Sequence, residues 1–186
     1  MLMLRIVLYT LILLISFIFH GSQYQFLFVP PILLLFLVFA VYTVSLFSAF
    51  FLLVFQGNVR AFGLSQTLLD TCFVAMLILF SGSSNSTFTS VFFFPIVAGG
   101  LILPKRGGII AAASSTLLYG GLLFLELKGL QPSIFQNLGS GSGLNPIMSL
   151  NYFAVNGLSF FLAALVSTLF GMRLQRTETE LTASIE

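Results

Sequence analysis

The sequence predicts an all-α, polytopic membrane protein of six transmembrane helices, with a C-terminal helix that continues into the cytoplasm. Three observations predict it. The 186 residues are 58% hydrophobic and 6% charged, with a mean hydropathy of +1.11, whereas soluble domains carry about 25% charged residues, so a water-soluble globule is excluded. The apolar residues form long unbroken runs, not the alternating segments of about ten residues that a β-barrel requires. Finally, residues 150–171 carry no charge and, at about 1.5 Å per residue, are long enough to cross the hydrocarbon of a bilayer. The chain then turns polar within three residues.

Each element follows from its own run. Arg5 precedes the apolar stretch 6–19, which closes at His20-Gly21-Ser22-Gln23. Phe17, Ile18 and Phe19 stand where a signal peptide would need small residues for cleavage, so this is a retained first helix. The second span begins at Pro30-Pro31, where proline suits a helix's first turn. It runs to Phe55, long enough to be tilted. The third starts between Ala61 and Gln66 and ends at Phe80; Gln66 and Asp70, four apart, share one face of it. A small polar loop, 81–87, leads to the fourth span, 88–103, which contains Pro95, Gly99 and Gly100 and stops at Pro104-Lys105-Arg106. Gly107 and Gly108 turn the chain into the fifth, 109–127. The loop 129–149, with a Gly-Ser tract at 139–143, is too small to be a folded extracellular sensor. The sixth span completes a transmembrane domain of residues 1–171. Residues 172–186 form the polar exit helix, with Leu174 and Leu181 seven apart on one stripe.

Six spans place both termini on one side. That side receives Arg5, Arg60, Lys105, Arg106, Arg173 and Arg176, and the other only Lys128. The positive-inside rule makes the basic side cytoplasmic.

Little in the chain suggests catalysis. His20 has no second imidazole with which to hold a metal, and the nucleotide, zinc and redox motifs are absent. No catalytic residue, metal or cofactor is expected, and a net charge of +2 gives no reason to expect nucleic acid. Cys72 lies in an apolar run and reads as a small core residue. Asp70 is the one charge within reach of the bilayer interior, and such a carboxylate marks a functional position by default. It is read either as an anchor, close enough to the cytoplasmic face to pair with Arg60, Lys105 or Arg106, or as a signalling or ion site. Glu126 and Lys128 have a weaker claim. Ala112, Thr116 and Gly120 form one small-residue stripe, and Ala163, Ser167 and Gly171 another. Such stripes let helices approach closely, either inside one bundle or across a dimer seam.

The order of these elements resembles a known family. Gln66-x-x-x-Asp70, an apolar run and then Ser81-Gly82-Ser83-Ser84-Asn85-Ser86-x-Phe88 are similar to the third helix and turn of six-helix bacterial sensor histidine kinases, typified by the kinase that controls type IV pilin transcription. The likeness continues through Phe94-Pro95-Ile96-Val97-Ala98, Lys105-Arg106, Leu118-Tyr119-Gly120 and Arg173-Leu174-Gln175-Arg176-Thr177-Glu178-x-Glu180-Leu181. One departure is Ser83, where the family's turn has a second glycine. A larger one is that the chain reaches Glu186 without a phosphoacceptor histidine box or ATP-binding glycine boxes. The resemblance implies the sensor half of a kinase in the bacterial inner membrane. It also implies a homodimer in contact with membrane lipid, a stimulus read within the membrane, with pilin itself a candidate ligand, and an output through the last helix. Two other readings stay open: an accessory subunit of a larger membrane complex, and a small transporter or channel subunit.

Overall fold

The computed structural model describes residues 31–54, 59–103, 106–129 and 145–185, together with Val7, Thr10, Leu11 and Leu14. Among these residues the chain is helical and contains no strand. Five α-helices follow in order: α1 (Pro31–Val54), α2 (Val59–Phe80), α3 (Phe93–Ile102), α4 (Gly107–Leu127) and α5 (Pro146–Ile185). They occupy the predicted second to sixth spans. The four described residues of the predicted first span are helical, and its remainder, like the Gly-Ser tract and Lys105, lies outside the described residues.

Three helices, over Phe62–Phe80, Gly107–Leu127 and Pro146–Ala183, are long and apolar enough to cross a membrane, and Leu35–Ser48 and Phe88–Ile102 are shorter apolar helices. The fourth span departs from its expected form as a single α-helix. Two 3₁₀ turns, Ser83–Asn85 and Thr87–Phe92, precede α3. Pro95 has no N–H to give the carbonyl four residues back, at Val91, so the regular α ladder cannot extend through that point. The tighter 3₁₀ coil rises further per residue, which carries these sixteen residues over about 27 Å instead of about 24 Å. A sequence break thus becomes extra reach across the bilayer.

The turn before it is reversed by Gly82 (φ 98°) and Ser83 (φ 48°). Ser83 is the only non-glycine among the described residues with positive φ, and it is fully buried. Ser86 then caps the second 3₁₀ turn, its hydroxyl accepting the Phe88 N–H at 3.2 Å.

Lipid is as apolar as leucine, so helices in a membrane associate through close packing and hydrogen bonds, with little hydrophobic drive. The core reflects this. α5 packs along α3 and α4, α2 closes one side of that trio, and α1 lies against α2. Phe92, Phe93, Tyr119 and Phe160 meet edge-to-face, with Phe92 and Phe160 centroids 5.3 Å apart at 64°. Each such pair is worth about 1 kcal/mol beyond its packing. Ile78, Ile96, Ala112 and Ala164 fill the space around them.

Where α3, α4 and α5 converge, glycine sets the spacing. A Cβ on Gly107 would fall 2.3 Å from the Gly99 carbonyl oxygen, and one on Gly100 2.2 Å from Ser167 Oγ. One on Gly108 would sit 2.9 Å from Thr168 Oγ1. Any larger side chain here would force backbones apart.

Candidate functional site

Two polar layers are built into this apolar bundle, one toward each end of α2. The inner layer lies near the start of α2. Gln66, Thr67, Asp70 and Thr71 succeed one another at helical spacing, so they share the face turned toward the bundle. Gln66, Thr67 and Thr71 are buried, and Asp70 is half-buried with its Oδ1 closed off from solvent. From α1, Ser45 and Ser48 are also buried. Leu37, Val38 and Val41 pack with Leu77. The two serines, one and two turns further along α1, therefore approach the level of Asp70 on the antiparallel α2. Ser45, Ser48, Gln66 and Asp70 each make a polar interaction. Polar groups at such a depth are costly unless satisfied, which makes the layer a place where helix arrangement is decided by specific bonds.

This layer adjoins the glycine junction. A Cβ on Gly99 would touch Thr67 Cγ2 at 3.2 Å. Thr67 in turn returns its hydroxyl to the Gly63 carbonyl at 2.9 Å. The path from Asp70 to α5 is thus short: Thr67 against Gly99, Gly99 against Gly107, and Gly100 against Ser167.

In the second layer the sequence marked Glu126, with a weaker claim than Asp70, but not its partners. Glu126, near the end of α4, accepts the Ser84 N–H at 3.1 Å and the Ser84 hydroxyl at 2.7 Å. Glu126 and Lys128 do not meet; Lys128 Nζ instead stands 5.7 Å over the Phe124 ring. Deeper in, the buried Tyr119 hydroxyl is bonded to Thr89 and accepts from Asn156 Nδ2 at 3.3 Å. Asn156 also donates to the Tyr152 carbonyl at 2.9 Å. These bonds tie the 81–92 segment, α4 and α5 together. A signal did exist in the sequence, a carboxylate near the end of one apolar run and a serine-rich turn after another, but residues 42 apart become neighbours only once helix order is known.

The small-residue stripes have distinct fates. Ala112 is buried in the core, Thr116 lies against Gly157, and a Cβ on Gly120 would meet the Phe153 ring at 2.7 Å. The α4 stripe is thus covered by α5 of the same chain. On α5, Ser167 and Gly171 are buried and Ala163 is half-buried against the core. Arg106, Arg173 and Arg176 are exposed, and the side chain of Arg60 lies outside the described residues. Cys72, expected in the core, is exposed on α2. Among the described residues no group of three or more His, Cys, Asp or Glu is placed to hold a metal.

No curated protein and no solved structure matches the chain. The family described as the PilS-like transmembrane domain matches residues 1–181, nearly the whole sequence, and takes in α1 to α4 and all but the last four residues of α5. This chain is an integral membrane protein that belongs to the PilS-like six-transmembrane domain family.

Proposed function

We propose that the chain is the membrane-embedded input module of a two-component sensor histidine kinase, sited in the bacterial inner membrane with both termini in the cytoplasm. Membership of the PilS-like family supports the reading. The observation that carries it is the continuity of α5: one unbroken helix of 40 residues runs from the packed core to a mostly polar, exposed end. At about 1.5 Å per residue it is about 60 Å long, twice the hydrocarbon thickness. Its inner half is locked against α3 and α4, and residues 172–183 are exposed on every side. Anything that repacks the core must move the exposed half with it.

The polar layer around Gln66 and Asp70 is the proposed point of input, because a small number of bonds there set the position of α2 beside the glycine junction. A ligand that favours one arrangement, a membrane-embedded pilin helix among the candidates, shifts the balance by its differential contacts. Output is through a homodimer in which two exit helices pair along Leu174 and Leu181 and deliver the change to a catalytic core.

The test joins the chain at Glu186 to the catalytic core of a histidine kinase and inserts one to four alanines after Thr182. Each added residue rotates the core by about 100° relative to α5. Autophosphorylation should fall and then recover as four alanines return the core near its starting phase. A response indifferent to insertion phase overturns the reading.

A further inference from the structure

The face of α5 that turns away from the bundle ends in a cation. Gly157, Phe160, Ala164, Ser167 and Gly171 form the helix's buried side. Arg173, two residues beyond Gly171, lies about 200° round the helix from it. It therefore points away from its own chain. Val155, Leu162, Val166 and Leu169 precede Arg173 by eighteen, eleven, seven and four residues, which puts all four within about 40° of its direction. Each is more than half exposed. The result is a column, apolar except for Ser159, whose hydroxyl is returned to the Val155 carbonyl at 2.8 Å, that finishes, one turn past Leu169, in a guanidinium.

Among the described residues Arg173 has no carboxylate partner. Glu180 points the same way but is seven residues on, about 10 Å further along the axis. An apolar column with a cation at its water end matches the layout of a lipid: acyl chain along the column and phosphate at the guanidinium. Arginine suits that phosphate because its planar fork donates two parallel hydrogen bonds. Its stem also lets the charge reach the headgroup level while the carbons stay against lipid.

A second copy of the chain fits this face poorly. Two copies in one membrane share their orientation, and a two-fold seam along the column would set each Arg173 against its symmetry mate. Leu174 and Leu181 lie about 100° away and leave Arg173 outside a seam built on them. We propose that this column of α5 seats an anionic phospholipid, with the acyl chain along Val155, Leu162, Val166 and Leu169 and the headgroup phosphate on Arg173. The inference rests on the chain being embedded in a membrane and is independent of the sensor reading.

The test uses the whole chain reconstituted in bilayer discs of equal parts phosphatidylglycerol and phosphatidylcholine. Native mass spectrometry then counts the lipids that remain bound. Phosphatidylglycerol should be retained in preference, and Arg173→Gln should lower that retention about fivefold, the factor one arginine's attraction to an anionic surface is worth. Arg173→Lys should keep most of the preference. Arg173 supports no packing, so neither variant should disturb folding, which helical circular dichroism checks. Equal retention of the two lipids, or no effect of Arg173→Gln, overturns the proposal. So does displacement of bound lipid by inorganic phosphate, which would make the site one for a free anion. Efficient disulfide formation between two Val166→Cys chains in a Cys72→Ser background would give the face to a second copy and overturn it as well.

Discussion

Glu126 holds Ser84 by two atoms, its carboxylate accepting the backbone N–H at 3.1 Å and the hydroxyl at 2.7 Å. The pair closes the outer end of the bundle across 42 residues of chain. Bonds to a charged acceptor are about twice as strong as neutral ones. Glu126→Ala should therefore destabilise the bundle by about 2 kcal/mol, and Ser84→Ala, which keeps the backbone bond, by about 1 kcal/mol. Combining the two should cost less than their sum, because the hydroxyl bond can be lost only once. Unfolding by a denaturing detergent measures all three.

The glycine junction makes a sharper claim. Gly107→Ala drives a methyl into the Gly99 carbonyl, which is backbone and cannot step aside, so it should cost about 3 kcal/mol. Gly121→Ala is the matched control. Nothing lies within 4 Å of a Cβ there, and alanine should be neutral or stabilise the helix by up to about 1 kcal/mol. Gly100→Ala meets mainly the side chain of Ser167, so Ser167→Gly should recover part of its loss. The same unfolding measurement reads the series.

Two buried hydroxyls should respond oppositely to removal. Tyr119→Phe loses the bonds to Thr89 and Asn156 and should cost about 1 kcal/mol. The Ser115 hydroxyl is fully buried and has no hydrogen-bond partner. Ser115→Ala should therefore be neutral or slightly stabilising. Equal losses at the two sites would mean that packing, not hydrogen bonding, governs both.

Asp70 tests the proposed input directly. In the chain fused to a kinase core, Asp70→Asn keeps the shape and removes the charge, so basal autophosphorylation should change while melting temperature moves little. A variant that unfolds without altering the activity of what stays folded would make Asp70 an anchor only. Asp70→Glu should lie between the two.

What could be read from the sequence followed from where its information is local. Spans two to six were visible because unbroken apolar runs and their polar ends are one-dimensional features, and Pro31, Phe80 and Gly107 mark boundaries close to where they fall. The 3₁₀ lead-in to α3 was not visible. An apolar run reads alike at either pitch, and Pro95 marks a disturbance without saying which side of it tightens. Ser83 was flagged by the resemblance as standing where a glycine is usual, and its φ of 48° gives the physical reason. An L-residue in that region is strained by about 1 kcal/mol. The site was legible by halves. Gln66 and Asp70 announced themselves as polar residues on an apolar helix, whereas Glu126–Ser84 and Tyr119–Asn156 depend on which helices are neighbours, and no single run contains that.

The unbroken course of α5 has a mechanical consequence. From Ser167, where the glycine junction grips it, to Ile185 the helix extends about 27 Å, and residues 172–183 of it are exposed. A stiff rod pivoted at one end converts rotation into travel. Tilting α5 by about 5° at the junction carries its tip about 2.4 Å sideways, a displacement larger than most single hydrogen bonds tolerate. The bundle therefore has no need of a large rearrangement to displace the tip of this helix. A rocking too small to break its own core contacts is already amplified, by length alone, to the scale on which a neighbouring helix must repack.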